Sequence, residues 1–303
     1  MAKFHGLRVS EILGMAQFVK RRVAVMAPPV WIAALAMLSV LTQPIWAQSA
    51  KHPLDGLTAT EFGTATAVLT RLPVSAAVPA DGTIGEAGWA FPLVGAGIGA
   101  IAALAFLLAE LLGCGPAPAA FLTVLVGLLV TGAFHEDGLA DTVDGLAGGR
   151  DREQKLAIMR DSRHGTAGVL ALVFSIGLRA AALGTIGEPI HAGLALLAAH
   201  TFSRALLPAT MRALSPVRPD GLGAMAGEPS LAVAIIAAAI GIVIALAGLG
   251  PATGATALIL SGGAVALAAL LARRQIGGYT GDVLGAFQQT GEIVMLLVAA
   301  AAR

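Results

Sequence analysis

The sequence predicts an all-α fold, a polytopic integral membrane bundle with about seven to nine apolar spans. The first observation is compositional: 57% of the 303 residues are hydrophobic and only 12% are charged, whereas soluble proteins average about 25% charged residues. The mean hydropathy is correspondingly high, at +0.83. The second observation is that apolar residues occur in runs of about twenty, long enough for a helix to cross a hydrocarbon core about 30 Å thick.

The apolar runs locate the individual spans. They cover residues 25–41, 92–112, 119–135, 166–185, 192–211, 230–249, 254–272 and 284–301. A weaker run at residues 61–78 is either a further crossing or a helix lying in the membrane interface. Arg204 falls inside a span, where an unpaired charge is expensive, so we expect a partner within the bundle or a water-lined cavity. Arg179, also in a span, either pairs within the bundle or snorkels.

The first fifty residues are predicted to be an extension separate from the membrane domain of residues 51–303. Lys20, Arg21 and Arg22 precede an apolar stretch at residues 23–41, and the segment Trp46-Ala47-Gln48-Ser49-Ala50 follows. This order is typical of a secretory signal peptide and equally of a signal anchor. A start codon further along the chain is a third possibility.

The distribution of basic residues between the spans predicts the orientation. They are Lys20, Arg21, Arg22, Arg71, Arg150, Arg152, Lys155, Arg160, Arg163, Arg212, Arg218, Arg273 and Arg274. All of them fall on one side of the membrane if the weak run crosses it. The opposite loops, at residues 113–118, 186–191 and 250–253, contain no Lys or Arg. The positive-inside rule therefore places the connection at about residues 135–165 in the cytoplasm.

Charge and composition exclude several function classes. The net charge is +1 and the chain has one Tyr and three Trp, so neither a basic field nor an aromatic platform exists for nucleic acid. Cys114 is the only cysteine. An intramolecular disulfide and a cysteine-based zinc or iron–sulfur site are therefore ruled out.

Four carboxylates are concentrated in the segment His135-Glu136-Asp137-Gly138-Leu139-Ala140-Asp141-Thr142-Val143-Asp144. On a helix, Asp137, Asp141 and Asp144 lie within about 60° of one another and share one face. Like charges this close repel unless a cation lies among them, and oxygen ligands suit Mg²⁺ or Mn²⁺. The alternative is a solvated acidic patch at a helix end. His135, beside the carboxylates, is a candidate for acid or base chemistry.

The segment that follows is basic. Lys155, Arg160 and Arg163 surround Asp161 and Ser162 just before a new span, and such residues at a helix start are typical of a phosphate site. A flank facing anionic lipid is the alternative. Together with the acidic cluster, the segment favours phosphoryl or nucleotidyl transfer with a metal ion. Asp282, in a second polar loop, could add a metal or hydroxyl contact, although a plain turn is equally compatible.

The motifs in these segments resemble those of a known family, the membrane cobalamin synthases or adenosylcobinamide-GDP ribazoletransferases. The matching stretches are residues 69–74, 91–95, 135–146, 158–168 and 277–286, in the family's order over residues 58–300. The acidic stretch is the most specific of them. Arg160 stands where the family usually has Lys, and His164 and Ala167 also depart from its pattern.

The resemblance implies a Mg²⁺-dependent transfer in a multi-pass protein of the cell inner membrane. Its substrates would be adenosylcobinamide-GDP and α-ribazole or the 5′-phosphate of α-ribazole. The products would be adenosylcobalamin, or its 5′-phosphate, and GMP. The residues implied as Mg²⁺ ligands are Asp137, Asp141, Asp144 and Glu136. Lys155, Arg160 and Arg163 would neutralise phosphate charge, and His135 or a spare carboxylate would accept the hydroxyl proton.

Two alternatives remain open to the sequence alone. A CDP-alcohol phosphotransferase also carries repeated aspartates on helices, but its pattern requires Arg after the alanine, and here Ala140 is followed by Asp141. A secondary transporter would have as many spans. Its ionisable site would lie near the bilayer midplane, whereas these carboxylates are predicted at a membrane edge.

Overall fold

The computed structural model describes residues 58–74 and 84–303, and in these ranges it contains eleven α-helices and no strand. A 3-10 helix, Glu86–Ala90, leads directly into α2. The helices are α1 Ala59–Leu69, α2 Phe91–Leu111, α3 Pro116–Thr131, α4 Phe134–Gly148, α5 Arg152–Ile158, α6 Thr166–Ile186, α7 Pro189–Ala213, α8 Gly221–Ala226, α9 Leu231–Leu249, α10 Pro251–Ile276 and α11 Gly281–Ala301.

Six helices of the described part, namely α2, α6, α7, α9, α10 and α11, are long and apolar enough to cross a membrane. The consecutive helices α3 and α4 lie at 91° to each other, and together they would form a seventh, broken span. This confirms the all-α membrane bundle. The predicted span at residues 25–41 lies outside the described residues. In the weak run, α1 has 11 residues and extends only about 16 Å, too short to cross.

Small residues allow the central helices to pack closely. Helix α7 packs along α2 on one side and α9 on the other. A Cβ added at Gly95 of α2 would collide with the carbonyl oxygen of His200, and one at Gly99 would lie 2.9 Å from the carbonyl oxygen of Leu196. The interior between these helices is rich in alanine. Backbones therefore approach closely, as expected where van der Waals packing drives helix association in lipid.

The bend between α3 and α4 has a backbone origin. Gly132 and Ala133 both adopt the left-handed conformation, with φ of 66° and 55°. Within the described ranges Ala133 is the one non-glycine residue with positive φ, which costs about 1–2 kcal/mol. The N–H of Arg71 donates to the carbonyl of Val130 at 2.8 Å, and the Arg71 side chain lies against Gly132. The turn directs α4 away from the axis of α3.

The loops that carry basic residues meet at the end of the bundle where α4 lies. Arg152 Nε donates to the carbonyl of Ile276 at 2.8 Å. The backbones of Ser215 and Tyr279 are joined by a hydrogen bond of 3.0 Å, and the N–H of Val217 donates to Tyr279 at 2.9 Å. These bonds bring together three segments that are widely separated along the chain, at residues 149–165, 214–224 and 277–282.

Candidate active site

A cavity of about 170 Å³ opens at this end of the bundle. Four segments supply its walls: the start of α4, the loop before α8, the start of α8 and the loop leading into α11. Its lining residues are Phe134, Asp137, Gly138, Pro216, Arg218, Asp220, Gly221, Leu222, Gly223, Ala224, Tyr279, Thr280, Gly281 and Asp282. Three aspartates therefore line the same cavity: Asp137 from α4, Asp220 from the N-cap of α8 and Asp282 from α11.

Asp137 and Asp141 form a cluster with His164 beside this cavity. One ligand atom from each of the three residues lies within 4.8 Å of the other two. His164 Nδ1 is 3.5 Å from Asp141 Oδ1, and His164 Nε2 is 3.8 Å from Asp137 Oδ1. The helical spacing predicted that the two aspartates share a face. The imidazole comes from the loop before α6, so the nitrogen nearest the carboxylates belongs to His164 and not to His135.

Asp144 lies on the same helix but is engaged elsewhere. Its carboxylate is buried and accepts hydrogen bonds from the N–H groups of Gly165 at 2.6 Å and Gly168 at 2.8 Å. A Cβ at Gly168 would collide with that carboxylate. Asp144 therefore satisfies free N–H groups at the N-terminus of α6, where the helix dipole also favours a negative charge. The three aspartates predicted to form one cluster are therefore divided. Asp137 and Asp141 lie together with His164 in a group that could hold a metal ion, and Asp144 binds the start of α6.

Glu136 points into the bundle. Its Oε1 lies 2.9 Å from Arg179 Nη1 of α6 and accepts a 3.0 Å hydrogen bond from Gln289 Nε2 of α11. Only 5% of Glu136 is exposed. The structure thus separates Glu136 from Asp137 and Asp141, with which the sequence analysis grouped it as a metal ligand.

The contacts of Glu136 belong to a larger interior ion network. Arg179 Nη1 is also 3.0 Å from Glu292 Oε1, and Glu292 Oε2 is 3.0 Å from His200 Nδ1. Arg204 Nη1 lies 3.6 Å from Glu292 Oε2. Both span arginines thus have partners inside the bundle, as expected for charges in a membrane domain. Glu292, which joins them, was not identified from the sequence.

His135 is also interior. It is 2% exposed, and neither ring nitrogen has a hydrogen-bond partner among the described residues. Its ring meets the edge of Phe134 with centroids 5.3 Å apart, and it is absent from the residues lining the cavity. The structure places His135 apart from the carboxylates that face the cavity.

None of the basic residues predicted to bind phosphate lines the cavity. Arg160 pairs with Asp220 at 2.6 Å, and its side chain is 54% exposed. Arg163 pairs with Asp161 at 2.6 Å, and hydrogen bonds from Arg163 lower the pKa of Asp161 to about 2. Ser162 is exposed and Lys155, in α5, is partly buried.

Asp282 does reach the cavity, because α4 and α11 pack backbone to backbone. A Cβ at Gly138 would lie 2.6 Å from the carbonyl oxygen of Asp282, and one at Gly285 would lie 3.0 Å from that of His135. Thr280 Oγ1 donates to Asp282 Oδ2 at 3.1 Å. Two glycines therefore bring the aspartates of α4 and α11 to the same cavity.

Sequence reasoning missed three residues of this site. Arg218 was considered only in the argument on orientation, and Asp220 was not considered at all. Both lie about 75 residues beyond the acidic segment. His164 was noted only as a departure from a family pattern. The polar run at residues 215–220 between two spans was the one available signal for the first two.

Comparison with known proteins identifies the family. The family model described as cobalamin-5-phosphate synthase matches residues 61–300. The chain belongs to this family. A relative from Bradyrhizobium diazoefficiens, named adenosylcobinamide-GDP ribazoletransferase, is 52% identical over 238 residues, which are 78% of this chain and 92% of the relative. Comparison with solved structures gives no significant match.

Two further relatives of the cobalamin-5-phosphate synthase family carry the same name. The one from Mesorhizobium japonicum is 45% identical over 77% of this chain and 90% of its own length. The one from Rhizobium johnstonii is 42% identical over 80% of this chain and 97% of its own length. The resemblance inferred from the motifs is thereby confirmed, and the cavity, with its aspartates, lies within the matched part of the synthase.

Proposed function

We propose that this chain joins adenosylcobinamide-GDP to α-ribazole, or to its 5′-phosphate, giving adenosylcobalamin, or its 5′-phosphate, and GMP. The observation that carries the proposal is the match over residues 61–300, together with 52% identity to a relative named for this reaction. Family membership decides against a CDP-alcohol phosphotransferase and against a secondary transporter.

The donor set fits a divalent metal ion. Asp137 and Asp141 each offer a carboxylate oxygen within 4.8 Å of the other, and carboxylates are the ligands that Mg²⁺ prefers, with water and phosphate oxygens completing its shell. We assign Mg²⁺ to these two residues, with Asp144 and Glu136 outside the set because other partners occupy them. A bound Mg²⁺ would neutralise charge on the diphosphate during transfer.

The chain's own groups then serve a displacement at phosphorus. A ribazole hydroxyl forms the new P–O bond to the cobinamide phosphate, and the bond to GMP breaks. Asp282, on the cavity wall, is the spare carboxylate placed to take the hydroxyl proton. Positioning and charge neutralisation supply most of the rate enhancement in such transfers. His135, enclosed in the bundle, has no part in this scheme.

The active end is assigned to the cytoplasm of a cell with an inner membrane. The basic residues of α5, of the loop before α8 and of the end of α10 gather there. The loops at residues 113–118, 186–191 and 250–253 have none. This asymmetry supports the assignment through the positive-inside rule.

The test uses the full chain in proteoliposomes with adenosylcobinamide-GDP, α-ribazole and Mg²⁺, followed for GMP and cobalamin. Asp141→Asn should abolish turnover while the protein remains folded. Glu153→Gln, an exposed carboxylate on α5 of the same end, is the matched control and should behave as wild type. Absence of product from the wild type would overturn the function. Near-normal turnover by Asp141→Asn would overturn the metal assignment alone.

A further inference from the structure

The basic side chain best placed to meet a substrate phosphate is Arg218. Of the described residues lining the cavity it is the only Lys or Arg. Its side chain is 15% exposed, whereas Arg160 and Arg163 are 54% and 87% exposed. Ion pairs in partly buried surroundings are screened less than those at the surface. A phosphate therefore gains more from Arg218 than from Arg160 or Arg163.

Arg218 is held in place by contacts behind the cavity. Its Nη2 donates to the carbonyl of Leu156 at 2.7 Å. The backbone of the preceding residue, Val217, is held at both ends. Its N–H donates a hydrogen bond to the Tyr279 carbonyl, and its carbonyl accepts one of 3.4 Å from Arg152 Nη2. The guanidinium is thus pre-organised, which lowers the entropy lost when a ligand binds.

The remaining contacts of this guanidinium leave capacity for an anion. Nη1 makes a long hydrogen bond of 3.3 Å to Asp282 Oδ2, and Nη1 and Nη2 each carry a second N–H beyond the ones that bond Asp282 and Leu156. A guanidinium has five N–H donors in a planar fork that matches phosphate oxygens. A bound phosphate would replace Asp282 as the partner of Arg218 Nη1. Asp282 would then be free to accept the proton of the attacking hydroxyl.

The size of the cavity limits which part of a substrate enters. Pockets that enclose whole drug-sized ligands measure roughly 300–1,000 Å³, and this cavity measures about 170 Å³. A nucleotide-linked corrinoid is far larger than that volume. The portion that suits one arginine beside carboxylates that would hold a metal ion is a diphosphate.

We propose that Arg218 binds the diphosphate of the nucleotide-activated substrate and that the cavity is its diphosphate subsite. This assignment rests on the proposed function for the identity of that substrate. It replaces Arg160, Arg163 and Lys155 as the principal phosphate contact. It also explains why the segment before α8 is joined to the loop before α11.

The test compares Arg218→Lys and Arg218→Gln with Arg212→Lys. Arg212 is a matched control at the end of α7, where it pairs with Glu228 at 3.3 Å and is not among the residues that line the cavity. Initial rates give KM for adenosylcobinamide-GDP and for α-ribazole separately. Two further measurements, GDP binding as a diphosphate probe and Mn²⁺ binding by electron paramagnetic resonance, do not depend on turnover.

In Arg218→Gln the KM for adenosylcobinamide-GDP and the Kd for GDP should rise on the order of 10- to 100-fold, the loss expected for charge-assisted hydrogen bonds. KM for α-ribazole and Mn²⁺ affinity should stay within about twofold. Arg218→Lys keeps the charge without the fork and should recover only part of the loss. Arg212→Lys should match wild type.

GDP affinity within twofold of wild type in both Arg218 variants would overturn the inference. An equal rise in KM for both substrates would also overturn it, because a general structural defect produces that result. A wild type that binds GDP through Arg218 but makes no product would refute the proposed function and leave the diphosphate subsite standing.

Discussion

Replacing Glu136 by Gln tests whether this carboxylate belongs to the interior network or to the metal site. The two carboxylates of this network, Glu136 and Glu292, balance its two guanidinium groups, Arg179 and Arg204. Gln preserves the shape of the side chain and removes its charge. The variant would leave an uncompensated positive charge inside the membrane bundle, which is strongly unfavourable.

The magnitude follows from the observed geometry. Arg179 Nη1 and Glu136 Oε1 are 2.9 Å apart, which corresponds to about 6 kcal/mol at an effective dielectric constant of about 20. Gln can retain a hydrogen bond worth about 1 kcal/mol. Measured losses when one partner of a buried pair is removed are about 3–5 kcal/mol, and we expect the free energy of unfolding to fall by that amount.

The assay is equilibrium unfolding in detergent micelles, followed by circular dichroism, with Mn²⁺ affinity measured on the same samples. The double variant Glu136→Gln/Arg179→Met removes one charge of each sign and should recover part of the lost stability. Mn²⁺ affinity should be unchanged in folded protein. A stability loss below about 1 kcal/mol combined with weaker Mn²⁺ binding would refute the network and make Glu136 a metal ligand, as the sequence indicated.

Two further predictions concern packing around α4. Asp144→Asn leaves one of the two N–H groups at the start of α6 without an acceptor, so the free energy of unfolding should fall by about 1–3 kcal/mol, while Mn²⁺ affinity is retained. A parallel loss of Mn²⁺ binding would instead make Asp144 a ligand. Gly138→Ala places a methyl group 2.6 Å from the Asp282 carbonyl oxygen and should lower both Tm and turnover by forcing α4 from α11. Gly127→Ala, where nothing lies within 4 Å, should be neutral or stabilise by about 0.5–1 kcal/mol; equal effects in the two variants would contradict the close-packing argument.

Hydropathy predicted the long spans closely. The runs at 166–185 and 284–301 correspond to α6 and α11, Thr166–Ile186 and Gly281–Ala301. The run at 119–135 is different, because α3 ends at Thr131 and the chain turns at Gly132 and Ala133. Alanine is the best helix former, so its left-handed conformation has no local signal in the sequence and depends on the packing of the following helix.

The candidate site was predictable mainly along α4, and Asp282 of α11 is the one candidate from another helix that reaches the cavity. Helical periodicity correctly places Asp137 and Asp141 on one face, since side-chain direction follows from residue spacing. It does not specify what that face meets. Asp144 contacts the start of α6, and Glu136 pairs with Arg179, which lies 43 residues further along the chain.

The sequence by itself determined the membrane class, most span positions, the family and the acidic helix, because hydropathy, periodicity and motifs are properties of contiguous residues. The tertiary structure alone decided which carboxylates face the cavity, which join the interior ions, and that Arg218 lies on the cavity wall. These roles depend on contacts between helices distant along the chain. Close packing at glycines such as Gly138 creates those contacts, and the cost of an unpaired charge in a membrane bundle selects the partners.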